Sequence, residues 1–395
     1  MLVELLKNNI KYGRLLLTLP DGTHYQLGND NEPEAHWRFN NESAIARIIR
    51  DTEMELGETY MEGGWDAGEP GLRRLLEIFM RNFREAQAKG WTRRIQEALH
   101  KLIARSNRIL QSYRYIEHHY DIDEWLFRQF LDQGMFYSCA YFEHPEFSLE
   151  EAQQAKCRLI MRKLLLKPGQ RVLDIGSGWG GLAFYLAAHA EVEVVGITLS
   201  QEQLRVAQQQ AQDQGLGDRV NFLRQDYREH KGEYDRIVSV GMFEHVGLQN
   251  YRTFFEQVRC LLKSDGVALL HTIGFSGKAG LNNVWIRRHI FPGSYLPTLS
   301  QITPAIERTD LMITDIEVLR LHYAHTLAEW YRRFQSHRLE AVERLGERFA
   351  RMWEFYLAGC EASFRFWDLV VFQVQLARQH GAVPITRDYL VRSKE

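Results

Sequence analysis

Three shortages narrow what this chain can be. No window of its 395 residues approaches the length of a membrane-spanning helix. It has almost no charge excess: 49 Lys and Arg against 51 Asp and Glu leave a net charge of −2, which excludes a globally basic nucleic-acid binder. Cysteine is sparse, and Cys139, Cys157, Cys260 and Cys360 stand far apart, so the spacing suggests neither a zinc knuckle nor a disulfide framework. Repeats and low-complexity tracts are also missing. The first residues, with Glu4, Lys7 and Lys11 among short apolar stretches, do not read as a secretory signal, and a reduced, cytoplasmic protein is expected. What is present is a hydrophobic content of 45%, enough to build one large domain and a smaller one.

The most informative stretch is Arg171-Val-Leu-Asp-Ile-Gly-Ser-Gly-Trp-Gly-Gly181. Apolar β-formers lead to Asp174, then to Gly176, Gly178 and Gly180, and then to the helical pattern Leu-Ala-Phe-Tyr-Leu-Ala-Ala. This is a buried strand turning sharply into a helix, with glycines where a ligand must approach the backbone. Gly176, Gly178 and Gly181 also fit the dinucleotide pattern, so the glycines alone are ambiguous. Asp174 separates the two ligands. A carboxylate at the strand end repels a pyrophosphate but receives the ammonium or ribose of S-adenosylmethionine (AdoMet). A NAD site usually carries an acid about twenty residues on. Here the second strand ends in Thr198-Leu-Ser200-Gln-Glu-Gln203, and the third runs into Gln225-Asp226-Tyr227, where a carboxylate and a ring suit an adenine. The combined pattern favours AdoMet over NAD.

Residues 1–90 read as a small α+β domain, with a hairpin over 13–27 around Pro20-Asp-Gly22 and helical periodicity over 44–50 and 71–88. Residues 91–114 carry apolar residues at helical spacing and Arg93, Arg94, Lys101, Arg105, Arg108 and Arg114 on the remaining surface. They read as a basic amphipathic linker helix, which also suits contact with an anionic membrane surface. Residues 115–395 are expected to form one catalytic domain. Its strands lie near 170–175, 192–197, 219–223, 234–240 and 267–273, with a closing strand over 368–376. That alternation predicts a doubly wound, mostly parallel α/β sheet. A helical lid over about 275–363 would cover the sheet's C-terminal edge; aromatics such as Phe275, Trp285, Phe291, Tyr323 and Trp330 could exclude water there, although core packing is the plainer expectation for most of them.

Chemistry-bearing residues recur at strand ends and loops: Tyr137-Ser138-Cys139, Phe243-Glu244-His245, His271-Thr-Ile273 and His322-Tyr323. Each has a plainer role when taken alone. Glu244 suits a helix N-cap, His271 a hydrogen-bonded core position, Cys139 a small buried hydrophobe and Tyr323 packing. A metal site is disfavoured because no ligand pair has the tight helical spacing of known motifs. Their joint position argues for a common cleft.

Seven ordered motifs then resemble the bacterial cyclopropane-fatty-acyl-phospholipid synthases: Tyr137-Ser-Cys-Ala-Tyr141, Glu150-Glu-Ala-Gln-Gln-Ala-Lys156, Val172-Leu-Asp-Ile-Gly176, Gly178-Trp-Gly-Gly181, Thr198-Leu-Ser200, Gly241-Met-Phe-Glu-His-Val246 and Leu270-His-Thr-Ile-Gly274. Leu56-Gly-Glu-Thr-Tyr-Met-Glu-Gly63 resembles the signature of the family's N-terminal domain. The resemblance implies the class I AdoMet-dependent methyltransferase fold, a Rossmann-like sheet. It also implies a homodimer that takes an unsaturated acyl chain of membrane phospholipid from the inner face of the membrane. Carried over by motif, a bicarbonate-binding set falls on Cys139 and Ile273 through their backbones and on Glu244, His271 and Tyr323. The AdoMet set falls on Tyr137, Ser138, the Gly176–Gly180 loop, Thr198–Gln203 and Asp226. The reaction implied is methyl transfer to a cis double bond followed by proton removal to close a cyclopropane. A methyl-branched or methylene lipid, or a small methylated amine, is the alternative product. Two departures stand out: Ile122-Asp-Glu-Trp125 at the entrance loop, and Ser177 where a cysteine is common. Cys360 matches a family cysteine suspected as a nucleophile, but it has no base nearby in sequence and sits on an apolar helical pattern, so packing is the expected role over nucleophilic catalysis.

Overall fold

The computed structural model describes residues 2–29, 33–87, 124–277 and 283–391. The expected basic helix over 91–114 lies outside them, as do Ile122 and Asp123. The chain forms two compact units. One takes its described residues from Met1–His100, Leu281–Pro292 and Leu327–Leu369, the other from Lys101–Gly280, Gly293–Thr326 and Val370–Glu395. The expected 115–395 stretch is therefore divided, and the helices beyond Leu327 gather with the N-terminal segments.

In the first unit, β1 (Arg14–Thr18), β2 (His24–Gly28), β3 (Glu34–Phe39) and β4 (Trp65–Ala67) form a sheet in the order β2-β1-β3-β4. The β1–β2 pair is the hairpin read from the sequence, with Leu17 opposite Tyr25. Leu15 and Leu17 alternate inward along β1 and are fully buried, as the two-residue period of a half-buried strand requires. Helix Leu72–Gln87 brings Leu75 and Leu76 to the same core, which Ala358 and Ala362 of helix Glu347–Phe366 join. Trp285 and Phe291 also pack in this unit, against Phe355 and Tyr356 at 4.9 and 5.8 Å between ring centroids. Core packing is the plainer of the two roles expected for these rings.

The second unit is a seven-stranded sheet: β5 (Arg171–Ile175), β6 (Glu193–Thr198), β7 (Val220–Arg224), β8 (Tyr234–Val240), β9 (Leu262–Phe275), β10 (Met312–Leu319) and β11 (Leu369–Ala377). Their spatial order is β10-β11-β9-β8-β5-β6-β7. The central pairs are parallel, and β10 runs antiparallel to β11. Five of these strands begin and end within two residues of the expected bounds at most ends; β9 starts five residues early, and β10 was not anticipated. Residues 172–175 of β5 are all buried, the signature of a strand covered on both faces. Strand order reverses at β5, whose two neighbours β6 and β8 leave the sheet in opposite directions. A crevice outside the strand ends is required at such a switch point.

Candidate active site

The crevice opens where the switch point demands it. A cavity with about 1140 Å³ of space, its open mouth included, is lined by the ends of β5 (Asp174, Ile175), β6 (Ile197, Thr198) and β8 (Val240) and the loops that follow them. Tyr137, Ser138, Asp174, Gly176, Gly178, Thr198, Gln203 and Asp226 all line it.

The turn after β5 is built by backbone bonds: the Gly176 and Ser177 amides donate to the Ile197 carbonyl at 2.9 and 3.0 Å. Gly176 has φ +86°, and a Cβ there would lie 2.6 Å from the Met242 Cβ. Gly178, at φ +54°, faces open space instead, leaving backbone free for a ligand to approach. Two residues expected to touch the cofactor do not line the cavity. Gly180 begins helix Gly181–Ala190 with φ +91°, and a Cβ there would lie 2.8 Å from Phe184 and Phe222, so packing demands the glycine. Ser200 is fully buried and caps helix Gln201–Asp213, its Oγ accepting from the Gln203 amide at 3.2 Å.

The polar groups of the cavity fit a nucleoside that carries an amino-acid tail. Asp174 is 1% exposed, and among the described residues its Oδ2 has no hydrogen-bond partner, nor has Ser177 Oγ. Burial pushes the Asp174 carboxyl up to about 7, against the opposing pull of the Lys156 ammonium. An orphaned buried acceptor is costly unless a donor such as an ammonium arrives. At β6, Thr198 Oγ1 donates to Gln203 Oε1 at 2.9 Å, which fixes the Gln203 side chain at the cavity wall. Asp226 is less free: Arg228 holds it through Nε at 2.8 Å and Nη2 at 2.7 Å. Arg228 also lines the cavity, and neither it nor that ion pair was foreseen.

A second polar cluster abuts the first. His271, on β9, hydrogen-bonds through its carbonyl to the Gly241 amide in the cavity wall at 2.9 Å. Glu244, in the short 3-10 turn Phe243–His245, accepts from the Ile273 amide through Oε1 at 2.6 Å. Among the described residues its Oε2 is buried without a hydrogen-bond partner, and burial lifts the carboxyl to about 7 against the opposing pull of the Ile273 amide and the Thr272 hydroxyl. The His271 ring, 2% exposed, is pushed down to about 3 by burial and stays neutral. The Gln373 amide nitrogen of β11 meets its Nδ1 at 3.1 Å, so Nδ1 accepts and Nε2 carries the proton. Gln373 was missed, although a glutamine inside the apolar run of β11 was a readable signal. Cys139 is fully buried and Tyr323 is 8% exposed. The Ala140 amide donates to Thr326 Oγ1, and the Phe142 amide to His322 Nδ1, both at 3.0 Å, tying the Cys139 loop to the helix that bears Tyr323. Burial drives the Cys139 thiol far above its ordinary value, so it stays protonated. Among the described residues no group of three or more His, Cys, Asp or Glu is arranged to hold a metal ion.

The strand order and the glycine-lined, acid-tipped crevice define a class I AdoMet-dependent methyltransferase. The complex of the mycolic acid cyclopropane synthase CmaA1 with SAH and CTAB aligns with 67% of this chain and 97% of its own, at 34% identity and a TM-score of 0.63. Residues 107–374 match the model of the mycolic acid cyclopropane synthetase family, and the chain belongs to that family. Residues 1–85 match a domain model of unknown function. The cyclopropane-fatty-acyl-phospholipid synthase of Escherichia coli K12 is 39% identical over 376 residues, 92% of this chain and 95% of the relative. The tuberculostearic acid methyltransferase UfaA1 of Mycobacterium tuberculosis is 35% identical over 95% of this chain and 90% of its own.

Proposed function

We propose that this enzyme transfers the methyl carbon of AdoMet to the cis double bond of an unsaturated acyl chain in membrane phospholipid and closes a cyclopropane with the help of bicarbonate. The observation that carries the bicarbonate reading is the buried, unpartnered Glu244 Oε2 in the same cluster as a neutral His271 whose Nε2–H is a donor. When bound, AdoMet supplies an electrophilic methyl group to the alkene, and bicarbonate supplies a replaceable base for the proton that must leave.

The chain's own residues orient and insulate that chemistry. Asp174 receives the cofactor's ammonium, and Gln203 steadies its ribose. Glu244 Oε2 accepts a hydrogen bond from the bicarbonate hydroxyl, and its Oε1 is already held by the Ile273 amide. His271 Nε2–H and the Tyr323 hydroxyl donate to the anion's other oxygens, and Cys139 contributes through its backbone. A protein carboxylate used directly as the base would risk alkylation by the cationic intermediate, whereas a bound small anion is exchanged at each turnover. Within this reading the protein works as a homodimer at the cytoplasmic membrane face, with residues 91–114 meeting anionic lipid. No helix among the described residues is long and apolar enough to cross a membrane.

Mass spectrometry of lipids from a host expressing the protein tests the reaction. A gain of one CH2 with loss of the alkene supports cyclopropanation. A saturated methyl branch or a retained double bond overturns it.

A further inference from the structure

One buried charge remains without a task. Lys156 lies on helix Leu149–Leu164, whose start is fixed by a reciprocal cap between Ser148 and Glu151. The side chain lines the cofactor cavity and the residue is 1% exposed. Lysine is almost never buried this deeply without an ion-pair partner. Yet among the described residues Nζ makes one hydrogen bond, to Ser138 Oγ at 3.0 Å, and stands 3.9 Å from the centre of the Phe136 ring, with the Asp132 and Asp174 carboxylates acting on it through space. An ammonium has three donors, so this leaves donor capacity unmatched.

The surroundings are organised around that charge. Gln153, one helical turn before Lys156, donates to the Ser138 carbonyl at 3.1 Å, so one helix face fixes both ends of Ser138. The nearby Asp132 is committed to the Gly134 and Phe136 amides at 2.8 and 3.1 Å. Asp174, also in the cavity wall, keeps an unpartnered oxygen. The wall therefore presents one buried cation with donors to spare and one buried anion with an acceptor to spare. That pair is complementary to a zwitterion.

The geometry points to Lys156, together with Ser138, as the receptor for the carboxylate of the methionine tail of AdoMet, with Asp174 receiving the ammonium of the same tail. The inference rests on AdoMet being the ligand of this cavity. Desolvation lowers the Lys156 ammonium below its ordinary value, a cost that an incoming carboxylate offsets. The aromatic face of Phe136 keeps water off the pair and strengthens it further.

Isothermal titration calorimetry with three probes separates the possibilities: S-adenosylhomocysteine, its decarboxylated analogue, and 5′-methylthioadenosine, which has no amino-acid tail. The wild type is expected to bind S-adenosylhomocysteine ~10- to 100-fold more tightly than the decarboxylated analogue, the scale of a charged hydrogen bond. Lys156→Met is expected to abolish that preference and leave 5′-methylthioadenosine binding within about twofold, a loss confined to the one carboxylate-bearing ligand. Ser138→Ala should reduce the preference partly, and it carries the same comparison if Lys156→Met does not fold. Preserved discrimination in these variants overturns the assignment. Equal weakening of all three ligands makes Lys156 a structural residue and also overturns it. Failure of the wild type to bind any of the three removes the AdoMet reading itself.

Discussion

Replacing Glu244 by Gln separates catalysis from stability because the two should move in opposite directions. The side chain keeps its shape, and Oε1 still accepts from the Ile273 amide. What changes is Oε2, a buried acceptor that becomes an NH2 donor and can no longer receive the bicarbonate hydroxyl. Turnover should fall by a factor on the order of 10² or more, the scale of a general-base contribution. Added bicarbonate should stimulate the depleted wild type and rescue the variant at best partly. Stability should rise. Burial raises the Glu244 carboxyl from its ordinary 4.5 to about 7, so the folded state holds a proton that the unfolded state releases between those values. Stability of the wild type therefore falls as pH rises through that window. Two and a half pKa units correspond to about 3 kcal/mol, so the Gln variant should exceed the wild type by up to about that amount at pH 8. Below about pH 4.5 the two should converge. Urea unfolding at pH 8 and pH 5, beside a radiolabelled methyl-transfer assay, reads both effects. A variant with near-normal turnover, or one less stable at pH 8 than the wild type, refutes this account of Glu244.

Three further outcomes are expected. Affinity for AdoMet should weaken as pH falls below about 7, because a protonated Asp174 cannot receive an ammonium; calorimetry across pH should show this slope flattened in Asp174→Asn. Cys360→Ser should keep its activity within about twofold, since burial pushes the thiol up to about 12 and removes it from thiolate chemistry; a folded but dead variant would revive a nucleophilic cysteine. Changing Arg94, Lys101, Arg105 and Arg108 to Gln should lower binding to anionic vesicles and spare AdoMet binding, and the wild type should release vesicles as salt shortens the screening length below roughly 10 Å; unchanged vesicle affinity would make that segment a plain linker.

The central sheet was legible because β5, β6 and β8 are apolar runs closed by glycine or polar turns, a pattern with few other readings. Strand β10 was not, because Met312-Ile-Thr-Asp-Ile-Glu-Val-Leu mixes acids into an edge strand that keeps most of its residues only half-buried. Of the expected cofactor residues, Asp174 and Gly178 line the cavity, whereas Gly180 and Ser200 serve packing and capping behind it. A glycine needed for helix packing and a serine needed for capping look, in a string of letters, like ligand-contacting residues. Lys156 was visible only as part of a motif. A lysine on an amphipathic helix normally faces water, and nothing local reveals that this face turns to a cavity wall. Gln373 was hidden for a different reason, since its partner His271 lies 102 residues away.

That separation governs the order of biosynthesis. Strand β11 is inserted between β10 and β9, so the sheet stays split until the last part of the chain has been made. The nascent polypeptide can form β5 to β8 with their nucleotide-facing loops early, while His271 still lacks the amide that fixes its tautomer. Long-range strand insertion is slow and leaves edges open to wrong pairings, so it is the step at which chaperones would matter most. A chain released before Gln373 would carry the cavity-lining strands without the amide that meets His271 Nδ1.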